Sequence, residues 1–138
     1  MKNNKITVQT TVAADINKVW SSWTLPEHIT KWNAASDDWH CPAATNDLRA
    51  GGRFCATMAA KDGSMSFDFE GIYDEVIHHR KITYSLADGR QVSIEFEAIG
   101  DKTRVIETFD PENENSMELQ RDGWQSILDN FKAHTEKN

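Results

Sequence analysis

A chain of 138 residues fits one domain and can bury about two-thirds of its unfolded surface in one core. With 22 acidic against 15 basic residues the net charge is −7, which disfavours phosphate backbones and anionic lipid, so neither nucleic acid nor a membrane is an expected partner. No apolar stretch is long enough to span a bilayer, and the Met1-Lys2-Asn3-Asn4-Lys5 start has no signal core, so a cytoplasmic protein with Cys41 and Cys55 as free thiols is expected.

Ile6, Val8, Thr10 and Val12 alternate with Thr7, Gln9 and Thr11, the period of a half-buried strand. Lys2 and Lys5 beside it would discourage uncontrolled edge pairing, leaving a monomer or homodimer open. Asp15 stands at an N-cap position. Behind it Ile16, Val19, Trp20 and Trp23 recur at helical spacing. Leu25-Pro26 breaks that helix, and Pro26 suits the first turn of another, with Ile29 and Trp32 as its apolar edge. Residues 33–50 lack a clear period apart from a short strand around Trp39; a connection that long in a compact domain is often functional.

After Gly51-Gly52 the pattern is a β-meander. Phe54, Ala56 and Met58 share one face, Asp62-Gly63 supplies a turn, and Met65, Phe67 and Phe69 return. Gly71 is expected to mark a bulge or tight bend, because the apolar phase moves from Phe69 to Ile72 beyond it. Ile82, Tyr84 and Leu86 form the next strand, Asp88-Gly89 predicts a two-residue hairpin, and Val92, Ile94 and Phe96 follow. In residues 103–109 two phases compete: Val105 and Phe109 facing the core would carry Glu107 inward, whereas Ile106 and Thr108 define the opposite phase.

Pro111 ends the sheet. Asn115, with Glu118 three residues on, forms a capping-box-like start to a last helix over about residues 116–135, roughly 30 Å long. Met117, Trp124, Ile127, Leu128 and Phe131 make its apolar stripe, and Lys132 and Lys137 sit near its negative end. Burying the last four of the stripe contributes about 6–12 kcal/mol before entropy. Gly123 within the helix costs about 1 kcal/mol relative to Ala, which close packing against another backbone would justify. With no repeat or linker, residues 1–138 read as a single domain.

The order strand, two short helices, antiparallel meander and long helix predicts an α+β helix-grip fold, and it resembles the START and Bet v 1-like superfamily. Trp23-Thr24-Leu25-Pro26-Glu27 through Trp32, Arg49-Ala50-Gly51-Gly52-Arg53-Phe54, Phe69-Glu70-Gly71, and Gly123-Trp124 with Leu128 are similar to bacterial SRPBCC proteins related to the activator of Hsp90 ATPase. The resemblance covers nearly the whole chain and implies a curved antiparallel sheet wrapped around the C-terminal helix. It also implies a chaperone as an alternative partner.

Five Trp in so short a chain point either to an unusually bulky core or to cavity lining. Trp39, Phe54, Met58, Phe67, Phe69, Tyr84, Phe96, Trp124 and Leu128 are the candidates to line a cavity for a small apolar or aromatic molecule, with His40, Tyr73 and Glu107 as its polar groups. A non-catalytic carrier or sensor is expected. A cyclase- or hydrolase-type enzyme using Glu107 or His40 is the alternative, set against Glu107 facing solvent or pairing with Arg104 or Arg90. Asp37, Asp38, His40 and Cys41 cluster in sequence, and His78-His79 adjoin, but the spacings are not those of a zinc site. Adjacent histidines in a strand would point apart, so neither a metal nor a cofactor is expected. No nucleophile elbow, Walker loop or dinucleotide fingerprint occurs, and neither cysteine sits at an evident helix N-terminus.

Overall fold

The computed structural model describes residues 5–137; Lys2 and the rest of the first four residues lie outside them. In chain order the elements are β1 (Ile6–Val12), α1 (Ile16–Thr24), α2 (Pro26–Trp32), β2 (Trp39–Asn46), β3 (Arg53–Ala60), β4 (Ser66–Ile77), β5 (Lys81–Ser85), β6 (Gln91–Ile99), β7 (Lys102–Phe109) and α3 (Met117–Lys137). The strands form one seven-stranded sheet, β1-β7-β6-β5-β4-β3-β2, antiparallel throughout. β1 and β2, successive strands of the chain, are therefore its opposite edges. α1 and α2 carry the chain from one edge to the other across the curled sheet, and α3 packs beside them against β1.

Local chemistry explains most boundaries. The Asp15 carboxylate accepts from the Lys18 amide at 2.9 Å and caps α1. Pro26 opens α2 where its missing N–H is not needed. The cap of α3 differs from expectation: the Ser116 hydroxyl, not Asn115, accepts the Leu119 amide at 3.0 Å. Asn115 belongs instead to a turn before the helix, held by Glu112, whose carboxylate takes the Glu114 and Asn115 amides. Buried Gln120 clasps that turn by accepting from the Glu112 amide and donating to the carbonyls of Glu112 and Asn115.

Four further features depart from the sequence pattern. β2 is an eight-residue edge strand rather than a short segment, and its register shifts between His40 and Ala43, where Pro42 is tolerated because an edge can spare its donor. The bulge in β4 lies between Tyr73 and Glu75, not at Gly71, so Phe69, Gly71 and Tyr73 keep one phase and Ile72 is exposed. Gly71 serves a close approach: a Cβ there would stand 2.9 Å from the ring of Phe54, its register partner, and 2.9 Å from the Ser85 carbonyl. The Asp88-Gly89 hairpin has three loop residues, 87–89, closed by the Leu86 amide on the Arg90 carbonyl, with Gly89 at φ 93°.

Gly123 reverses its expectation outright. A Cβ there would meet nothing within 4 Å, so no close packing requires the glycine. Nor do His78 and His79 point apart. They lie in the turn between β4 and β5, His79 at φ 64°, with rings stacked at 3.8 Å, each edge-on to Trp20.

The main core is contiguous and runs from β1 through β7, β6 and β5 to the helices. Val12, Val19, Thr103, Val105, Leu128, Phe131 and Thr135 are fully excluded from solvent. The Thr103 hydroxyl is satisfied by the Ala14 carbonyl at 2.9 Å. Among the described residues no helix is long and apolar enough to cross a membrane.

Candidate functional site

The C-terminal half of α3 is sealed, but its first half is not. Beneath Trp124 and Ile127 a cavity of about 240 Å³ opens between α3, α2 and the β3–β5 part of the sheet. The sheet contributes Phe54, Ala56 and Met58 from β3, Phe67, Phe69 and Tyr73 from β4, Ile82 and Tyr84 from β5, and Glu107 from β7. Trp23, Ile29, Trp32 and Asn33 close it from the helical side, and Thr45 from β2.

The rings hold one another in place. Trp124 stacks on Phe109 at 3.8 Å and 12° and presents its edge region to Phe69 at 6.1 Å. Phe54, laid across Gly71, meets Tyr84 at 4.5 Å and Tyr73 at 5.4 Å. On the helical side Trp23 and Trp32 are 5.0 Å apart, and each meets the buried Phe131 edge-on.

Tyr73 and Trp32 have their side-chain polar groups engaged beside the cavity. The Tyr73 hydroxyl donates to Asn46 Oδ1 at 2.5 Å, Asn46 Nδ2 donates to the Thr24 carbonyl at 2.7 Å, and the Trp32 indole donates to the Ser22 carbonyl at 2.9 Å. Burial pushes the Tyr73 phenol well above its ordinary range.

Among the described residues the Glu107 carboxyl has no such partner. In β7 the side chains of Thr103, Val105, Glu107 and Phe109 share the buried face, so the phase that buries Val105 and Phe109 brings the carboxyl in with them. Its register partners are Val8 and Ile94, both apolar, and it is 6% exposed. Neither arginine considered as a partner reaches it: Arg104 pairs with Glu97 at 3.1 Å and Arg90 with Asp88 at 2.7 Å. Among the described residues none hydrogen-bonds the carboxyl, and burial raises its pKa from 4.5 to about 8. The carboxyl is thus mostly neutral at pH 7. The Tyr84 phenol, also without a hydrogen-bond partner among the described residues, is pushed up by burial and then by the nearby Glu107 charge.

Of the residues expected to surround a cavity, Phe54, Met58, Phe67, Phe69, Tyr84, Trp124, Tyr73 and Glu107 border it. Four do not. Trp39 packs on Phe67 in a satellite cluster with Cys41, Ala56 and Met58. His40 is exposed on the edge strand, Phe96 lies under Trp20 and Trp23, and Leu128 is sealed in the main core. His40 and Glu107 therefore do not form an acid–base pair. Trp23, Ile29, Trp32, Asn33, Thr45, Cys55, Ala56, Ile82 and Ile127 border the cavity without having been expected there. The apolar spacing of Trp23, Ile29 and Trp32 was visible, but only the crossing of α1 and α2 over the sheet turns those faces towards it.

Cys41 is buried and Cys55 half-buried, both as free thiols raised by burial. Among the described residues no three His, Cys, Asp or Glu side chains converge as a metal site would need.

A curled antiparallel sheet closed by a long C-terminal helix, with two short helices after the first strand and a cavity under the long helix, defines a helix-grip protein. The profile of the family described as "Activator of Hsp90 ATPase homolog 1-like protein" matches residues 13–136, and the chain belongs to that family. No curated protein matches significantly. Among solved structures, the chain is similar to the AHSA1-like protein from Aeromonas hydrophila, with 43% identity, 97% of this chain and 93% of that one covered, and a TM-score of 0.91. A protein from Cytophaga hutchinsonii is 58% identical over 97% of this chain and 93% of its own, with a TM-score of 0.83. A Chromobacterium violaceum protein, 20% identical with 98% of this chain and 99% of that one covered, shares the fold at a TM-score of 0.85.

Proposed function

We propose that this protein holds a small apolar or aromatic molecule in the cavity between the sheet and α3, as a carrier or sensor that does not transform it. The observation that carries this is the cavity itself: about 240 Å³ of space between sheet and helices, walled mainly by aromatic and aliphatic side chains. Its size sets the class of occupant. An apolar cavity of about 150 Å³ accepts benzene, whereas drug-sized ligands occupy about 300–1,000 Å³. A single-ring molecule fits, and a sterol or a long acyl chain does not. Among the described residues no base hydrogen-bonds Glu107, which favours holding over turnover.

A thermal-shift panel of single-ring aromatic metabolites and longer lipids tests this. A ligand at 100 times its dissociation constant adds about 2.7 kcal/mol, so single-ring compounds are expected to raise the melting temperature and long-chain lipids to leave it unchanged. Ala56→Leu, which places a larger side chain in the cavity wall, is expected to abolish the shift. A flat response to the whole panel refutes the proposal.

Engagement of a chaperone is the second reading, supported by the family's description and by the apolar tip of the β3–β4 hairpin, where Met65 and Phe67 are exposed. A pull-down with Hsp90, read together with its ATPase rate, tests it. A Met65→Ser, Phe67→Ser double variant is expected to lose any effect, and no binding at micromolar concentration ends this reading.

A further inference from the structure

We infer that the cavity is built for a compact organic cation, a single aromatic ring carrying a protonated amine, with the ammonium group seated between Glu107 and Tyr84. This rests on the cavity-binding reading and adds the charge of the occupant.

Three observations on the walls carry it. First, Glu107 is buried and borders the cavity, and no described group hydrogen-bonds it; the same holds for the Tyr84 hydroxyl. Leaving a buried polar group unpaired costs about 1–3 kcal/mol, more for a charge. A hydrocarbon occupant would leave both groups in that state, and an ammonium group with three donors satisfies both. Second, among the described residues no Lys, Arg or His borders the cavity. Its titratable groups are Glu107, Tyr84, Tyr73, whose hydroxyl is already engaged by Asn46, and Cys55. β1 and β6, which flank Glu107, place Val8 and Ile94 beside it, and α3 brings Trp124 and Ile127 to the cavity. A carboxylate ligand would thus meet an acid and no counter-charge. Third, Trp23, Trp32, Phe54, Phe67, Phe69 and Trp124 border the same cavity among its aliphatic residues, and ring faces attract a desolvated cation by about 2 kcal/mol.

Binding of an ammonium ion requires Glu107 to be ionised, so at neutral pH the carboxyl releases its proton to solvent as the amine enters. With a pKa of about 8 in the empty cavity, close to one proton is released per amine bound at pH 7, and amine affinity rises about tenfold from pH 6 to pH 7 before levelling above pH 8. A neutral ligand hydrogen-bonded by the protonated acid shows the opposite trend, losing affinity above pH 8.

Four probes of nearly one shape separate these cases: 2-phenylethylamine, 2-phenylethanol, phenylacetate and ethylbenzene, titrated calorimetrically from pH 6 to pH 9 in two buffers of different ionisation enthalpy. The expected result is amine binding at least tenfold tighter than the alcohol at pH 8, no detectable phenylacetate binding, and proton release with the amine alone. Glu107→Gln is expected to erase the amine preference and its pH dependence while ethylbenzene still binds. The pH series on the unsubstituted protein reads the same linkage should the variant fold poorly. Alcohol or hydrocarbon binding as tight as amine binding, or a pH-independent amine affinity, overturns this inference and leaves the cavity reading standing. If none of the four binds, both fall.

Discussion

The two halves of α3 teach different lessons about one apolar stripe. Leu128, Phe131 and Thr135 in the second half are wholly buried, with Val19 of α1 and Val12 of β1 equally sealed in the same core. Trp124 and Ile127 in the first half are only partly buried and face the cavity instead of filling it. The helical periodicity is the same in both. What differs is the opposite wall: Phe131 in the second half meets Trp23 of α1 and Trp32 of α2, while Trp124 in the first half has Phe109 on one side and the cavity on the other. A stripe of apolar residues therefore specifies which side of a helix turns inward, and the surrounding elements decide whether that side meets atoms or space.

The largest test of this contrast concerns the one carboxyl on the open side. The folded Glu107 holds its proton up to about pH 8, while an unfolded glutamate loses it near 4.5. The folded state binds more protons through that window, so native stability carries no charge-burial penalty below it and declines as pH rises through it. Full ionisation at pH 9 corresponds to a penalty of about 5 kcal/mol from that difference in pKa. Glu107→Gln removes the charge, so urea denaturation is expected to find the variant several kcal/mol more stable than the parent at pH 9 and nearly equal to it at pH 4.5. Equal stability at both pH values would mean the carboxyl is hydrated or paired.

Next in size is the contrast itself. Phe131→Ala is expected to lose about 3–5 kcal/mol, as full core truncation does. Phe69→Ala, whose ring already borders empty space, is expected to lose less than half as much. Similar losses in chemical denaturation would show that the two regions are packed alike.

Gly71→Ala acts on the wall. A Cβ there would stand 2.9 Å from the Phe54 ring and 2.9 Å from the Ser85 carbonyl, so the wall must shift, and the expected loss is about 1–3 kcal/mol. Weaker binding of any cavity ligand should accompany it. The smallest effect is a gain: Gly123→Ala adds a methyl group where nothing lies within 4 Å and removes a poor helix former, so a stabilisation of about 1 kcal/mol is expected by thermal melting. A loss instead would indicate that the helix needs a break beside Trp124.

Much of the fold was legible because the signals were local. Strand alternation in β1, β3 and β6, the Asp15 cap, the Pro26 restart and the α3 stripe each depend on residues a few positions apart. β2 was obscured because an edge strand need not alternate strictly and carries Pro42 at its bulge. The true cap of α3 was obscured because Asn115 and Ser116 are both good caps, and what separates them is the clasp of Glu112 and Gln120 on the preceding turn.

The site was less legible. Phe54, Phe69, Tyr84 and Trp124 could be assigned to inward faces from their own strands or helix. Trp39 and Phe96 had the same credentials and went elsewhere, one to a satellite cluster and the other beneath α1. The sequence by itself determined the family, the order of the main elements and the inward phase of β1, β3, β5 and β6, because these follow from periodicity and turn chemistry along the chain. Only the tertiary structure decided that Glu107 is buried without a partner, that Trp23 and Trp32 close the cavity, and that the first half of α3 covers space. Each of those depends on how far apart non-neighbouring elements come to rest, and no local pattern encodes that distance.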